Sequence, residues 1–249
     1  MKYLGIIPAR YASTRFPGKP LVDIGGITMI ERVYRQVEHE LDAVCVATDD
    51  QRIADAVNLF GGNVVMTSPN HKSGTDRCYE AYTKVKGDFD VVVNIQGDEP
   101  FIHADQITIV KACFVDETVD IATLVKAFKS TDDVQDTLFN ANAPKVVLNK
   151  KNEAMYFSRS AIPFVRGAAP EHWLESQTFY KHIGLYAYRV NALKEITCLE
   201  QSPLELAESL EQLRWLENGY KIKVGVTQRE TIGIDTPEDL EKALEILCV

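Results

Sequence analysis

What most constrains this chain is a rhythm in its first hundred residues, where short and almost wholly apolar runs alternate with stretches of helical spacing. "YLGIIPA" at 3–9, "AVCVAT" at 43–48, "NVVM" at 63–66 and "VVVNI" at 91–95 show little of the polar–apolar alternation of a half-exposed strand. Strands of that kind are covered on both faces, as in a parallel sheet between helices. Between the first two, Met29, Ile30, Val33, Tyr34, Val37 and Leu41 recur every three or four positions; after the second, Ile53, Ala54, Val57 and Phe60 do the same before Gly61-Gly62. Each set forms one apolar helix stripe, and the glycine pair supplies a C-cap. Residues 75–85 predict a further helix. The alternation makes this an α/β chain with a Rossmann-like, mostly parallel sheet.

From about residue 120 the rhythm loosens. "DIATLVKAF" and "PKVVLN" read as strands, "KKNE" as a turn and "AMYFS" as the return strand of a hairpin. "KHIGLYAYR" and "KIKVGV" are further strands, which makes the sheet mixed. Leu206, Leu210, Leu213 and Leu216 predict one helix over 204–216. Thr236, Pro237 and Asp239 supply an N-cap, a first-turn proline and an acid at the third helical position before Leu240, Ala243, Leu244 and Leu247. With no repeat or linker, the 249 residues are expected to form a single domain, 1–249, carrying an inserted β-containing sub-region at about 120–190.

The net charge of −9 argues against a nucleic-acid binder or a polybasic membrane anchor. No apolar run approaches the roughly 18–20 residues of a membrane span, so no membrane insertion is expected. Five cysteines, Cys45, Cys78, Cys113, Cys198 and Cys248, stand at no metal-binding or redox spacing, which fits a reducing cytoplasm. The charge is unevenly placed. Residues 1–22 hold Lys2, Arg10, Arg15 and Lys19 and no acid, leaving −13 for the rest. Pro8, Pro17 and Pro20 break any targeting helix there, so these cations belong to the folded protein.

Three of those cations lie in one loop, Ala9 to Pro20, directly after the first strand. Ligands of open α/β sheets sit beyond the carboxyl ends of the strands. Small residues there admit backbone N–H groups to phosphate oxygens, and Arg10, Arg15 and Lys19 can reach different phosphates, so a triphosphate is the natural partner. Gly18-Lys19 is followed by Pro20, not by the Ser or Thr of a Walker loop, and no G-x-G-x-x-G turn is present. Asp98 follows the fourth apolar strand, behind Gly97, and a carboxylate at that edge suits Mg²⁺, which takes one or two carboxylates plus phosphate and water. Asp235 fits equally as a second metal ligand or as a helix-start acid. Ser73-Gly74-Thr75-Asp76-Arg77 either caps a helix, with Thr75 as the cap, or lets a base lie against the backbone, with Gln96 offering an amide to its edge. Arg159, His182, Tyr186 and Glu211 stand out in the second half; on a strand, His182 and Tyr186 share a face.

The segments "IIPARYASTRFPGKPL", "MTSPNHKSGTDR", "VNIQGDEPFI", "YFSRSAIPF", "HIGLYAYR", "SPLELAESLEQLR" and "GIDTPEDLEKA", in this order, resemble the 3-deoxy-manno-octulosonate (Kdo) cytidylyltransferases of the nucleotide-diphospho-sugar transferase superfamily. The first segment alone specifies only the superfamily; the later ones carry the assignment. The resemblance implies a homodimer in which the 120–190 sub-region binds sugar and dimerises. It implies transfer of CMP from CTP to the anomeric 2-hydroxyl of Kdo, with Mg²⁺, giving pyrophosphate and the CMP-Kdo used for lipopolysaccharide. It places Arg10, Arg15 and Lys19 on the triphosphate, Ser73, Gly74 and Gln96 around the cytidine, Ala9 among the nucleotide-binding residues, and Asp98 with Asp235 on magnesium. Arg10, Arg15, Lys19 and Asp98 then carry catalysis, and Arg159, His182, Tyr186 and Glu211 hold the sugar acid, whose carboxylate Arg159 or a protonated His182 would neutralise. Asp76 stands where many relatives carry Glu, and "VRGAAPEHWLESQTF" matches the family poorly. Two other readings are another cytidylyltransferase, acting on amino-substituted Kdo or sialic acid, and a non-catalytic nucleotide-binding protein of the same fold.

Overall fold

The computed structural model describes residues 1–12, 16–229 and 233–247, with Ile246 and Leu247 by backbone only. In chain order its strands are β1 (Tyr3–Ala9), β2 (Ala43–Thr48), β3 (Val64–Met66), β4 (Val91–Asn94), β5 (Ile121–Ala127), β6 (Lys145–Leu148), β7 (Ala154–Ser158), β8 (Tyr180–Arg189) and β9 (Ile222–Val226). The α-helices are α1 (Met29–Val37), α2 (Gln51–Leu59), α3 (Gly74–Lys84), α4 (Ala104–Ala112), α5 (Trp173–Ser176), α6 (Val190–Ile196), α7 (Pro203–Glu208), α8 (Gln212–Glu217) and α9 (Pro237–Leu247). They divide into two compact units. Unit 1 comprises residues 1–108, 185–197 and 231–249, and unit 2 comprises 109–184 and 198–230.

In unit 1 the strands run β3-β2-β1-β4, all parallel, and the last residues of β8 join antiparallel, with Asn94 opposite Tyr186. The apolar runs produce what their composition predicts: Leu4, Ile6, Ile7, Val46, Val91, Val92 and Val93 are fully buried. At roughly 1.5–3 kcal/mol for each large apolar side chain removed from water, these strands anchor the unit. Met29, Ile30, Val33, Tyr34 and Val37 form the buried stripe of α1, and Ile53, Ala54 and Val57 that of α2. Ile24 and Met29 pack with Ile234 and Ala243, which ties the C-terminal segment of the unit to its start.

Unit 2 has other bounds than the expected 120–190 sub-region: it begins at 109, leaves 185–190 to unit 1 and takes in 198–230. β5 and β9 are parallel, and β6 and β7 form the expected antiparallel hairpin. The poorly matching stretch builds a cluster of its own, with Trp173, Leu174 and Phe179 packed on Leu138 and the Trp173 and Phe179 rings stacked in parallel at 6.1 Å. The single helix expected over 204–216 is two. Ser209 adopts φ 51°, ψ 48° and ends α7, so Leu204 and Leu206 are left exposed while Leu210 and Leu213 are buried. Four leucines at helical spacing cannot reveal a left-handed residue among them, because the spacing reads straight through it.

Candidate active site

Four ends meet in unit 1 at the carboxyl side of its strands: the loop after β1, the segment after β4, the start of α3 and the approach to α9. Gly18 takes φ 74°, a conformation that favours glycine, and its N–H donates to the Tyr11 carbonyl at 2.9 Å, closing the loop on itself. This presents Lys19 at the start of a short 3-10 turn over Lys19–Leu21 whose Pro20 is buried. Past β4, Gly97 is a close-approach position, since a Cβ there would stand 2.9 Å from the Pro8 carbonyl oxygen. The next residue is Asp98, and its carbonyl accepts from the Ile234 N–H at 2.9 Å, which sets the Asp98 and Asp235 segments side by side.

The result is a three-residue ion cluster. Lys19 Nζ donates to Asp98 Oδ2 at 2.7 Å and to Asp235 Oδ1 at 3.0 Å. The lysine side chain is 14% exposed, against 32% for Asp98 and 43% for Asp235. Burial disfavours the ammonium, but the two carboxylates outweigh it and hold the Lys19 pKa above its ordinary value. Thr236 caps α9, with its Oγ1 accepting from the Asp239 N–H, while Asp239 Oδ2 accepts from the N–H groups of Asp235 and Thr236. Asp239 serves the helix start, and Asp235 turns its side chain to Lys19.

The other nucleotide-side candidates lie in the same unit. Arg10 Nη2 donates to the carbonyls of His71, at 2.6 Å, and Ser73, at 3.4 Å, tying the loop to the turn before α3. Ser73, not Thr75, caps that helix: its Oγ accepts from the Asp76 N–H at 3.1 Å, and Asp76 Oδ2 accepts from the Ser73 N–H at 3.3 Å. The aspartate reaches far enough for this role, and Thr75 is buried. Gly74 lies against Pro8, with room for ordinary contact, and Gln96 Nε2 donates to Asn94 Oδ1 at 3.5 Å. Ala9 is buried at the end of β1, and Arg15 lies outside the described residues.

One supporting pair was not singled out from sequence. Arg77, fully buried on α3, donates to Thr67 Oγ1 at 2.6 Å and pairs with Asp49 at 3.1 Å. Burial and the Arg10 charge push its pKa down while Asp49 pushes it up, for a net lowering. The available signal was position, since Arg77 stands beside Cys78 and Ala81 on the buried side of its helix.

Of the sugar-side candidates, Tyr186 belongs to unit 1 and Arg159, His182 and Glu211 to unit 2. Tyr186 is buried, with its ring stacked on Tyr188 at 6.0 Å. Arg159 is tied to main chain: Nε donates to the Glu208 carbonyl at 2.6 Å, Nη1 to Ala141 at 2.9 Å and Nη2 to Ser209 at 3.3 Å. The Glu208 carboxylate accepts from the Arg159 N–H at 2.9 Å and from Ser158 Oγ at 2.6 Å. Behind them Lys145, fully buried, donates to the carbonyls of Asn140 and Arg159, and burial pulls its pKa down to about 8. His182 Nε2 is 3.0 Å from Thr123 Oγ1, and its ring meets Phe157 edge-on. Burial pushes the His182 pKa down to about 3, so the imidazole is neutral at pH 7. A protonated His182 is therefore replaced by a neutral hydrogen-bonding one. Glu211 Oε1 accepts from Arg214 Nη2 at 2.6 Å at the head of α8.

The profile of the cytidylyltransferase family matches residues 4–222. The chain is 71% identical over 247 residues, 99% of its length and 98% of the relative's, to the 3-deoxy-manno-octulosonate cytidylyltransferase of Parabacteroides distasonis. The chain belongs to the 3-deoxy-manno-octulosonate cytidylyltransferase family. Within that family it is 69% identical to the enzyme of Bacteroides thetaiotaomicron over 99% of the chain and 98% of the relative. Among solved structures, CMP:2-keto-3-deoxy-manno-octonic acid synthetase complexed with CTP superposes with a TM-score of 0.89 at 40% identity, covering 100% of this chain and 99% of that one. The mostly parallel sheet expected from the apolar runs is the fold of this family member.

Proposed function

We propose that this protein transfers CMP from CTP to the anomeric 2-hydroxyl of 3-deoxy-D-manno-octulosonate, releasing pyrophosphate. The observation that carries the reading is the cluster of Lys19, Asp98 and Asp235 beyond β1 and β4 in a chain of this family. The hydroxyl oxygen attacks the α-phosphorus in line, its proton leaves to solvent, and the bond to the β-phosphate oxygen breaks. Such a transfer needs positioning and charge neutralisation more than covalent help from the protein. Arg10, Arg15 and Lys19 supply cations for the triphosphate; Arg10 does so by exchanging its contacts with the His71 and Ser73 carbonyls. Ser73, Gly74 and Gln96 line the place of the cytosine.

Two carboxylates already converging on one ammonium form a donor set that suits Mg²⁺, so Asp98 and Asp235 would hold the ion. When bound, it would neutralise phosphate oxygens. Arg159, Tyr186, Glu211 and a neutral His182 serve the sugar acid, with Arg159 as the counter-charge to its carboxylate. The protein acts as a cytoplasmic homodimer, and its product is the activated sugar for lipopolysaccharide assembly. No helix among the described residues is long and apolar enough to cross a membrane.

Pyrophosphate release with CTP, UTP, GTP and ATP against Kdo, amino-substituted Kdo, sialic acid and a hexose phosphate tests the proposal. Mg²⁺-dependent release with CTP and Kdo, several-fold above every other pair, is expected. Equal release with UTP or a hexose phosphate would overturn the substrate assignment, and CTP binding without release would overturn catalysis.

A further inference from the structure

Lys19 Nζ stands between two carboxylates, within hydrogen-bond distance of one oxygen of Asp98 and one of Asp235. Main-chain bonds tie down both partners of this contact. The lysine sits on a turn fixed by Gly18 and buried Pro20, with the Leu21 N–H donating to the Gly18 carbonyl at 2.9 Å. The two acids sit on segments tied together by the Ile234–Asp98 main-chain bond and backed by the Gly97 approach to Pro8. The carboxylates keep more solvent-facing surface than the lysine.

We infer that Lys19 is an internal counter-cation that occupies the metal position in the nucleotide-free protein and is drawn off by the incoming triphosphate. This rests on the proposed roles of Asp98 and Asp235 as metal ligands. An ammonium and a divalent ion compete for the same oxygens, so metal affinity is low while Lys19 stays and rises once a polyphosphate offers it a better partner. The coupling is reciprocal by linkage, and couplings of this kind are typically about 5–150-fold. The arrangement makes metal capture conditional on nucleotide, and it keeps two adjacent carboxylates paired when no substrate is bound.

The test uses the full-length protein without nucleotide and Mn²⁺ as the probe, with bound metal read from loss of the free-ion electron paramagnetic resonance signal. Lys19→Met should bind Mn²⁺ about 10-fold or more tightly than the unaltered protein, and the double variant Lys19→Met with Asp98→Asn should lose that gain. A second readout is melting temperature, which Mn²⁺ should raise more in Lys19→Met, and in Lys19→Gln, than in the unaltered protein. Equal Mn²⁺ affinity in the unaltered protein and Lys19→Met, weakened in both by Asp98→Asn, would overturn the competition and leave the metal site standing. No Asp98-dependent Mn²⁺ binding in any variant, with or without CTP, would overturn the metal site and the competition with it.

Discussion

Replacing His182 by Gln should change how the protein responds to acid more than how stable it is at neutral pH. In the folded chain the imidazole is held beside Thr123 and Phe157, where burial lowers its pKa from 6.5 to about 3. The unfolded chain therefore binds more protons than the native one between those two values, and stability falls as pH drops from about 6.5 toward 3. At about 1.36 kcal/mol per pH unit, moving from pH 7.5 to pH 5 removes about 2 kcal/mol through this one residue. Urea titrations at the two pH values, on the unaltered protein and on His182→Gln, isolate the contribution. The variant should lose about 2 kcal/mol less between them, whatever its stability at pH 7.5. In parallel, the His182 ring proton resonance should not titrate between pH 5 and 8. A titration midpoint near 6.5, or identical acid responses in the two proteins, would refute the buried neutral imidazole and restore His182 as a possible cation for the sugar acid.

Lys19→Ala should retain the fold and lose about 10²–10³-fold in pyrophosphate release, the usual cost of removing one electrostatic partner of the transferred group; near-normal release from a folded variant would remove Lys19 from the mechanism. Gly97→Ala places a Cβ 2.9 Å from the Pro8 carbonyl oxygen, which only a backbone shift can relieve. Calorimetry should show a loss of about 1–3 kcal/mol, and an unchanged melting temperature would contradict the close approach. Glu208→Gln weakens the hold on Ser158 Oγ and the Arg159 N–H, and should raise the KM for the sugar acid several-fold with little change in that for CTP; equal effects on both would return Glu208 to a purely structural part.

Much of unit 1 was legible because burial on both faces writes itself into composition: a run such as "VVVN" has few other stable uses. In the basic loop the uneven charge was legible but the partners were not: Lys19 pairs with Asp98 and Asp235, 79 and 216 positions away. The break at Ser209 was not, because a single residue entering the left-handed region leaves the surrounding apolar spacing intact. Neither was the neutral state of His182. A histidine on a strand looks the same in sequence whether it faces solvent or, as here, the ring of Phe157 and the hydroxyl of Thr123. Arg77 lay in plain view within the Ser73 segment, yet its partner Asp49 is 28 positions away and only the fold joins them.

Asp235 shows how little separates a capping acid from a ligand, and how the distinction is to be tested. In "IDTPED" two aspartates flank Thr236-Pro237, and either spacing is compatible with a helix start. The structure divides the labour: the Asp239 carboxylate accepts from the N–H groups of Asp235 and Thr236 just before α9, and the Asp235 carboxylate accepts from Lys19. Asp239→Ala should therefore cost about 1 kcal/mol of stability, as N-cap losses do, while pyrophosphate release at saturating substrate stays within a few-fold. Asp235→Asn should do the reverse, leaving the melting temperature nearly unchanged and removing most activity, which added Mg²⁺ restores only in part. If both variants lost activity alike, the Asp235 carboxylate would act only by fixing the approach to α9, and the acid cluster would reduce to the single pair of Lys19 and Asp98.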